Sequence, residues 1–400
     1  MLDNTSTAFA ASVEVSTRKK CKVIVITDIM APYRIPVFNE IAKDSRLDFK
    51  VIFLARMAGE RKWNINTKEI FFSFDTTPAV IIPYPRSFPL LFNPQLLQKL
   101  CRINPDTIIC GGIHHPSYLL TLCYALFAGK RFILWNESHE NSVRIKHRLA
   151  VFYRRMFIRC SSGYLAFGTQ AEKFLLKLGA APDKIFVTPN AVDNEFFIRE
   201  TEKFRAQKNE LKQARSFPRL ISLYVGRLIH SKGVETLLEA FSKLPFQQAM
   251  GLIIVGDGAQ ENEYKRFCRT HHLRNVFFEG FKQQSELPYY YGISDLLVMP
   301  SFRDEWGLVL NEAMASGLPV IASDAAGGAQ DLIHDGINGY RFQAGDYRSL
   351  SRLMTLVLND EELRINMGKE SRTRIEQFSP RVSANGFIRA ALGEGHHGQD

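Results

Sequence analysis

Along the chain, short runs of apolar and β-branched residues alternate with longer stretches in which apolar positions recur every three or four residues. KVIVIT (22–27), FKVIFL (49–54), DTIIC (106–110) and RFILWN (131–136) form one series, and RLISLYVG (219–226), GLIIVGD (251–257), DLLVMPS (295–301) and PVIAS (319–323) form a second. Strands this apolar lack the alternation of a one-sided sheet and predict parallel sheets covered by helices on both faces. Two series predict two doubly wound α/β domains of Rossmann-like type, in keeping with 400 residues, more than one core usually takes. The break falls in the polar stretch Thr201 to Pro218. The expected division is a flexible tail over 1–20, an N-terminal domain over 21–198, a linker over 199–218 and a C-terminal domain over 219–376. A helix over 377–393 is expected to pack back toward the first domain, before a short tail over 394–400. Open parallel sheets bind ligands beyond the carboxyl ends of their strands, so two facing domains place the site in the cleft between them.

Composition narrows the class. At 46% hydrophobic and 23% charged residues, with 26 Gly and 17 Pro, the chain is a foldable globular protein and not a disordered or collagenous one. Apolar runs such as Ser117 to Gly129 fall short of the roughly 20 residues that span hydrocarbon. Six cysteines without CxxC or Cys/His metal spacing read as reduced, mostly buried thiols. Residues 1–20 make a poor secretory signal, so a cytoplasmic protein is expected.

The net charge of +10 is confined to one half: residues 1–200 carry 27 Lys/Arg against 17 Asp/Glu, while residues 201–400 are balanced at 24 each. Ser142 to Cys160 holds Arg144, Lys146, Arg148, Arg154, Arg155 and Arg159 with no acid, among Val143, Ile145, Leu149, Val151, Phe152, Met156 and Phe157. It reads as a basic amphipathic helix, either a core helix with a solvated face or a surface for anionic lipid headgroups at the inner face of a membrane. No helix-turn-helix, zinc-finger or RNA-binding signature accompanies the charge, so nucleic acid is not an expected partner.

Chemistry concentrates in Ser301 to Ser323 (SFRDEWGLVLNEAMASGLPVIAS). Gly307 allows close backbone approach, and Leu308 to Ser316 reads as a helix whose first N–H groups, from Leu308 and Val309, can cradle a phosphate. Glu312 falls about one and a half turns into that helix, where a carboxylate can accept two hydroxyls of a ribose. Upstream, VGRLIHSKGVETLLEAF (225–241) ends a strand at Gly226 and carries Arg227 and Lys232 in the turn before a helix. Two cations there suit a diphosphate and neutralise its charge without a metal. No convincing DxD metal motif is present, so neither a metal nor a cofactor is expected.

Together these passages resemble the large fourth family of glycosyltransferases, retaining enzymes of GT-B fold that include bacterial hexosyltransferases building glycolipids and cell-surface polysaccharides. The resemblance covers most of 22–375: NAVD at 190–193, the VGR…KG segment, VGDG at 255–258, FEGF at 278–281, the Asp304/Glu312 passage, and Gly327 to Asp346. It implies a nucleotide diphosphate sugar as donor, bound mainly by the C-terminal domain, and a glycan or lipid-linked acceptor bound mainly by the N-terminal one. It also implies front-face transfer without a protein nucleophile. By resemblance Asp304 or its neighbour Glu305 contacts the sugar, while Gly256, Gly258, Phe281 and Lys282 border the nucleotide.

The family's first loop is commonly glycine-rich, whereas this chain has Pro32, Tyr33 and Arg34 there, and acceptor recognition is expected to differ accordingly. Arg34 faces an anionic group or makes a plain salt bridge. Glu137 and His139, after the strand RFILWN, are candidates to hold a sugar hydroxyl or the acceptor. His114 and His115, after Gly111-Gly112, are either acceptor-side groups or caps of the next helix. Rival functions are a GT-B epimerase or phosphorylase, and a non-catalytic nucleotide-sugar-binding subunit.

Overall fold

The structure, a computed structural model, describes residues 19–56, 62–83, 89–143, 145, 147–245 and 249–394. The tails expected at either end lie almost wholly outside the described residues, as do Arg144 and Lys146.

In chain order the first half runs β1 (Cys21–Ile29), α1 (Ile35–Ala42), β2 (Leu47–Ala55), β3 (Ser73–Thr76), β4 (Val80–Ile82), β5 (Leu90–Phe92), α2 (Gln95–Ile103), β6 (Thr107–Cys110), α3 (Pro116–Phe127), β7 (Arg131–Asn136), α4 (Arg148–Cys160), β8 (Gly163–Phe167), α5 (Gly168–Leu178) and β9 (Ile185–Thr188). The second half runs α6 (Asn194–Arg205), α7 (Lys208–Ala214), β10 (Leu220–Val225), α8 (Val234–Ser242), β11 (Met250–Val255), α9 (Glu261–Thr270), β12 (Val276–Gly280), α10 (Leu287–Ile293), β13 (Leu296–Met299), α11 (Leu308–Ala315), β14 (Val320–Ser323), α12 (Ala329–Leu332), β15 (Gly339–Phe342), α13 (Tyr347–Asn359), α14 (Glu361–Ile375) and α15 (Pro380–Leu392).

Two parallel sheets result, one of seven strands ordered β3-β2-β1-β6-β7-β8-β9 and one of six ordered β12-β11-β10-β13-β14-β15; β4 and β5 form a separate antiparallel pair. Each large sheet is covered on both faces, which is why its strands are apolar throughout: Val23 to Ile26 and Leu252 to Val255 are buried without alternation. The order reverses between β1 and β6 and between β10 and β13, and these two switch points place ligand crevices at the carboxyl ends of those strands.

Two segments tie the domains together. The stretch read as a linker is helical: Asp193 caps α6 by accepting from the Phe196 N–H (2.9 Å), and Phe197 enters the C-terminal core against Tyr291. At the other end α15 crosses back, burying Ala384, Phe387 and Ala391 in the N-terminal core. Phe387 meets Trp135 edge to face at 5.1 Å, and the Thr107 hydroxyl donates to the Ala391 carbonyl.

The basic helix begins later than its sequence pattern suggests, at Arg148 instead of Ser142. Ser142 folds back on His139, with its N–H and hydroxyl both donating to the His139 carbonyl, and this turn uses the groups a helix would need. Within α4, Phe157 and Ile158 are buried, Arg154 is half-buried, and Arg148, Phe152, Arg155 and Arg159 lie on the outward stripe. All six cysteines are free; only Cys110 and Cys268 are buried, Cys21, Cys123 and Cys160 are half-buried and Cys101 is exposed, fewer than the mostly buried set expected. No helix among the described residues is long and apolar enough to cross a membrane.

Candidate active site

At the switch point of the C-terminal sheet, the loops leaving β10 and β13 face each other. Lys232 ends a single 3-10 turn, His230–Lys232, and its ammonium forms an ion pair with the Asp304 carboxylate from the opposite loop. The Tyr224 hydroxyl donates to the Arg227 carbonyl (2.9 Å), and the Leu228 N–H to the Asp257 carbonyl (2.7 Å), fixing the loop that carries Arg227. Gly256 sits in the left-handed region, and a Cβ there would lie 1.9 Å from the Gly226 carbonyl oxygen. VGDG therefore packs its backbone directly onto the VGR loop.

Gly307 is the N-cap of α11 with φ 95°, and no side chain caps the helix, so the Leu308 and Val309 N–H groups have no side-chain acceptor. Further along α11, Glu312 is buried and accepts from the Tyr291 hydroxyl at 2.6 Å. Burial pushes its carboxyl up to about 7, against the lowering effect of that hydrogen bond. Trp306 donates to the Asn311 side chain, which in turn donates to the Asn190 carbonyl of the NAVD turn (3.0 Å). Phe281 and Lys282 follow β12 at the rim of the crevice, with the Lys282 ammonium 5.7 Å from the Tyr290 ring.

The N-terminal domain closes over this crevice. Arg34 is buried, its guanidinium 4.2 Å from the Trp135 ring, and it forms an ion pair with Glu137. Arg34 thus makes a salt bridge, with its partner on the strand-end loop after β7. Neighbouring Tyr33 packs edge to face on Trp63, which is partly buried. His139 makes a contact of 2.8 Å from Nε2 to the Asp304 carbonyl; a carbonyl only accepts, so Nε2 carries the proton. The Ser138 hydroxyl donates to Glu305 across the same seam (3.4 Å), and Gln283 donates to the Lys62 carbonyl (2.8 Å).

His115 precedes α3 but does not cap it: its Nδ1 accepts from the Leu91 N–H (3.0 Å). Among the described residues, Asp28, His114 and His115 have ligand atoms within 4.8 Å of one another, a set with the donors to hold a cation. Burial lowers the pKa of both imidazoles, that of His115 to about 3 with the adjoining His114 adding to the effect. The Tyr118 hydroxyl beneath them is buried without a hydrogen-bond partner.

The cleft thus brings together Arg227, Lys232, Asp304, Glu305, Gly307 and Glu312 with His139 and Glu137. Pro32, Tyr33, Arg34, His114 and His115 gather at the N-terminal switch point. Asp28, Tyr118 and Tyr291 belong to these clusters and were not signalled by the sequence pattern; only Asp28, at the end of a strand next to the switch, had a position that marked it.

Two α/β domains with their switch points facing one cleft, one lined by paired cations and a free helix start, define the GT-B class of architecture. Residues 207–374 match the family described as glycosyl transferases group 1. The chain is 26% identical over 75% of its length to the sulfoquinovosyl transferase SQD2 of Arabidopsis thaliana, covering 59% of that protein. It is 27% identical over 77% of its length to the capsular polysaccharide biosynthesis glycosyltransferase CapM of Staphylococcus aureus, covering 83% of it. Against a third relative, N-acetyl-alpha-D-glucosaminyl L-malate synthase of Bacillus anthracis, identity is 31% but coverage is about half of either chain. Among solved structures, Anabaena Alr3699/HepE in complex with UDP-glucose superposes with a TM-score of 0.70 at 19% identity, over 93% of this chain and 99% of that one. A glycosyltransferase from Rickettsia africae gives a TM-score of 0.72 at 16% identity, over 94% of this chain and all of that one. The group 1 glycosyltransferase match thus lies in the C-terminal half, over residues 207–374, and the likeness to the solved structures gives the whole chain a GT-B fold.

Proposed function

We propose that this protein transfers a hexose-type sugar from a nucleotide diphosphate sugar to a hydroxyl of a glycan or lipid-linked acceptor, with retention at the anomeric carbon. The observation that carries the reading is the convergence of Arg227, Lys232 and the uncapped start of α11 at the switch point of the C-terminal sheet, with Glu312 one turn further along the helix. The two cations and the helix start receive the diphosphate and stabilise the charge that builds on it as the bond from the sugar to phosphate breaks. Charge neutralisation therefore falls to side chains and not to a metal. Glu312 takes the ribose hydroxyls, and Asp304 or Glu305 orients the sugar against His139. The acceptor oxygen attacks from the face the diphosphate leaves, and its proton passes to a departing phosphate oxygen, so the anomeric configuration is kept. Closure of the domains limits loss of donor to water.

The acceptor side is proposed to work at an anionic membrane surface, on the cytoplasmic side. Arg148, Arg155 and Arg159 share the outward face of α4 with Phe152 and Leu149, which are 68% and 72% exposed, and Phe127 at the end of the adjoining α3 is 94% exposed. Arginines alternating with uncovered large apolar side chains suit shallow insertion beneath phosphate headgroups. Arg155, Arg159 and Lys177 also line a hollow of about 220 Å³.

Incubating the purified protein with a panel of nucleotide sugars, and following thermal stabilisation and donor turnover, tests the catalytic reading. Stabilisation by one donor with transfer to an added acceptor is expected. Epimerised donor without acceptor, or no turnover of any donor that binds, would replace transfer with one of the rival functions.

A further inference from the structure

A cavity of about 510 Å³ lies away from the cleft, at the amino ends of β10, β13 and β14. Leu220, Asp295 and Pro319 mark the three strand starts around it, opposite the carboxyl ends that face the N-terminal domain. Its size is that of a small-molecule site. Its lining is strongly cationic: seven Lys or Arg side chains against three acids.

Three carboxylates serve seven cations: Glu361 pairs with Arg219 (3.4 Å), and Glu202 with Arg372. Lys208 and Lys212 share the single carboxylate of Asp295, at 2.7 and 2.8 Å. Arg205 gives one nitrogen to the Ser316 carbonyl, while its Nε is buried without a hydrogen bond, 3.9 Å from the Glu202 carboxylate. Arg364 donates from Nη1 to the carbonyls that end α13, and among the described residues neither Arg364 nor Lys369 has a carboxylate partner. Burial, with the neighbouring cations adding to it, pushes Lys212 down to about 8 and lowers Arg205 and Lys208 as well. Positive charge held this closely in a concave, partly desolvated space is repulsive until an anion enters.

The place of the cavity in the chain gives it a second property. Its walls are α6 and α7, which enter the C-terminal domain, and α14, which leads out of it toward α15. Arg372 of α14 already pairs with Glu202 of α6 at 2.5 Å, so the two interdomain crossings meet here.

We propose that this cavity binds a phosphate-bearing anion, independently of the donor cleft, and that the bound anion clamps α6 and α7 to α14 where both crossings between the domains pass. The recognising chemistry is two or more clustered phosphate oxygens held by Arg205, Arg364 and Lys369. A free phosphorylated metabolite and a phospholipid headgroup share that chemistry, and the test separates them.

Inorganic pyrophosphate is titrated calorimetrically into the full chain in the presence of saturating UDP, and hydrogen exchange is followed with and without pyrophosphate. Binding that persists under UDP, is at least tenfold weaker in Lys369→Glu and in Arg364→Gln, and protects amides of α6, α7 and α14 is the expected result. Both substitutions are kept because Arg364 also holds the end of α13, whereas Lys369 is exposed and bears no such contact. Vesicles of phosphatidylglycerol that bind wild type and Lys369→Glu alike assign the site to a free metabolite; loss of vesicle binding in Lys369→Glu assigns it to a headgroup. Pyrophosphate binding unchanged in both variants, or protection confined to the loops of the cleft, would overturn the proposal. Failure of UDP to bind would count against the donor reading and leave this result intact, since the exchange map locates the pyrophosphate by itself.

Discussion

The ammonium of Lys232 and the carboxylate of Asp304 form an ion pair although 72 residues separate them, because the loops that carry them leave adjacent strands, β10 and β13. Each is mostly shielded from water, so each holds the other in place. In the proposed reaction an incoming diphosphate meets an ammonium already fixed at the crevice. Substituting Lys232 or Arg227 by Ala is expected to lower transfer by about two to three orders of magnitude, the usual cost of losing a preorganised charge donor. Turnover and donor affinity near wild type in either variant would refute the neutralisation role.

Asp304 and Glu312 are expected to separate by readout. Glu312→Gln replaces one acceptor oxygen with an amide donor and removes the charge, and should weaken free nucleotide binding tenfold or more, as expected for charge-assisted hydrogen bonds of roughly 1.5–3 kcal/mol. Asp304→Asn frees Lys232 for the diphosphate and should keep or tighten nucleotide binding while turnover falls. Calorimetry on the free nucleotide and initial rates on the donor distinguish the two; equal loss of nucleotide affinity would contradict the assignment.

The buried carboxyl of Glu312 also predicts a pH dependence of stability. Its folded pKa of about 7 lies above the ordinary 4.5, so its contribution is most favourable below pH 4.5 and is lost as pH rises toward 7. By linkage that shift corresponds to about 3 kcal/mol at most by pH 8. Glu312→Gln, which cannot ionise, should therefore gain on wild type by about 1–2 kcal/mol between pH 5 and pH 8, part of the shift being returned as an amide left short of partners. Thermal melts across that range check the sign.

Arg34 is buried against Trp135 with Glu137 as its only carboxylate partner among the described residues. Glu137→Gln leaves an uncompensated guanidinium and is expected to cost about 2–3 kcal/mol, somewhat below the loss for a fully buried pair because Glu137 is partly exposed. Denaturant melts measure it. A loss below about 0.5 kcal/mol would indicate a surface-type ion pair.

Membrane attachment should be salt-sensitive. Because Arg154 is half-buried, the informative variant is Arg148, Arg155 and Arg159 changed together to Gln. Each Lys or Arg near an anionic leaflet is worth about 1 kcal/mol, so co-sedimentation with anionic vesicles should fall about a hundredfold. Equal binding to neutral vesicles, or an unchanged triple variant, would return α4 to a scaffold role.

Sequence alone determined the two parallel sheets, since strands buried on both faces must be apolar throughout, and it placed Gly307 to Glu312 and Arg227 to Lys232 each in one contiguous segment after a strand. The short strands β3, β4, β5, β8, β9, β12 and β15 carry little pattern of their own, because three to five residues become a strand only beside a neighbour. The same holds for partners. That Arg34 would choose Glu137, Lys232 choose Asp304, and His139 donate to a carbonyl of the opposite domain depends on loops from different strands arriving at one cleft. The cationic cavity is a tertiary fact of the same kind. Its lysines and arginines come from segments 205–219 and 364–372, in a half of the chain whose net charge is zero, and only the packing of α6 and α7 against α14 concentrates them. Periodicity reports which face of an element is buried; it does not report which elements meet, because that is decided by sheet order and helix packing between residues far apart in the chain.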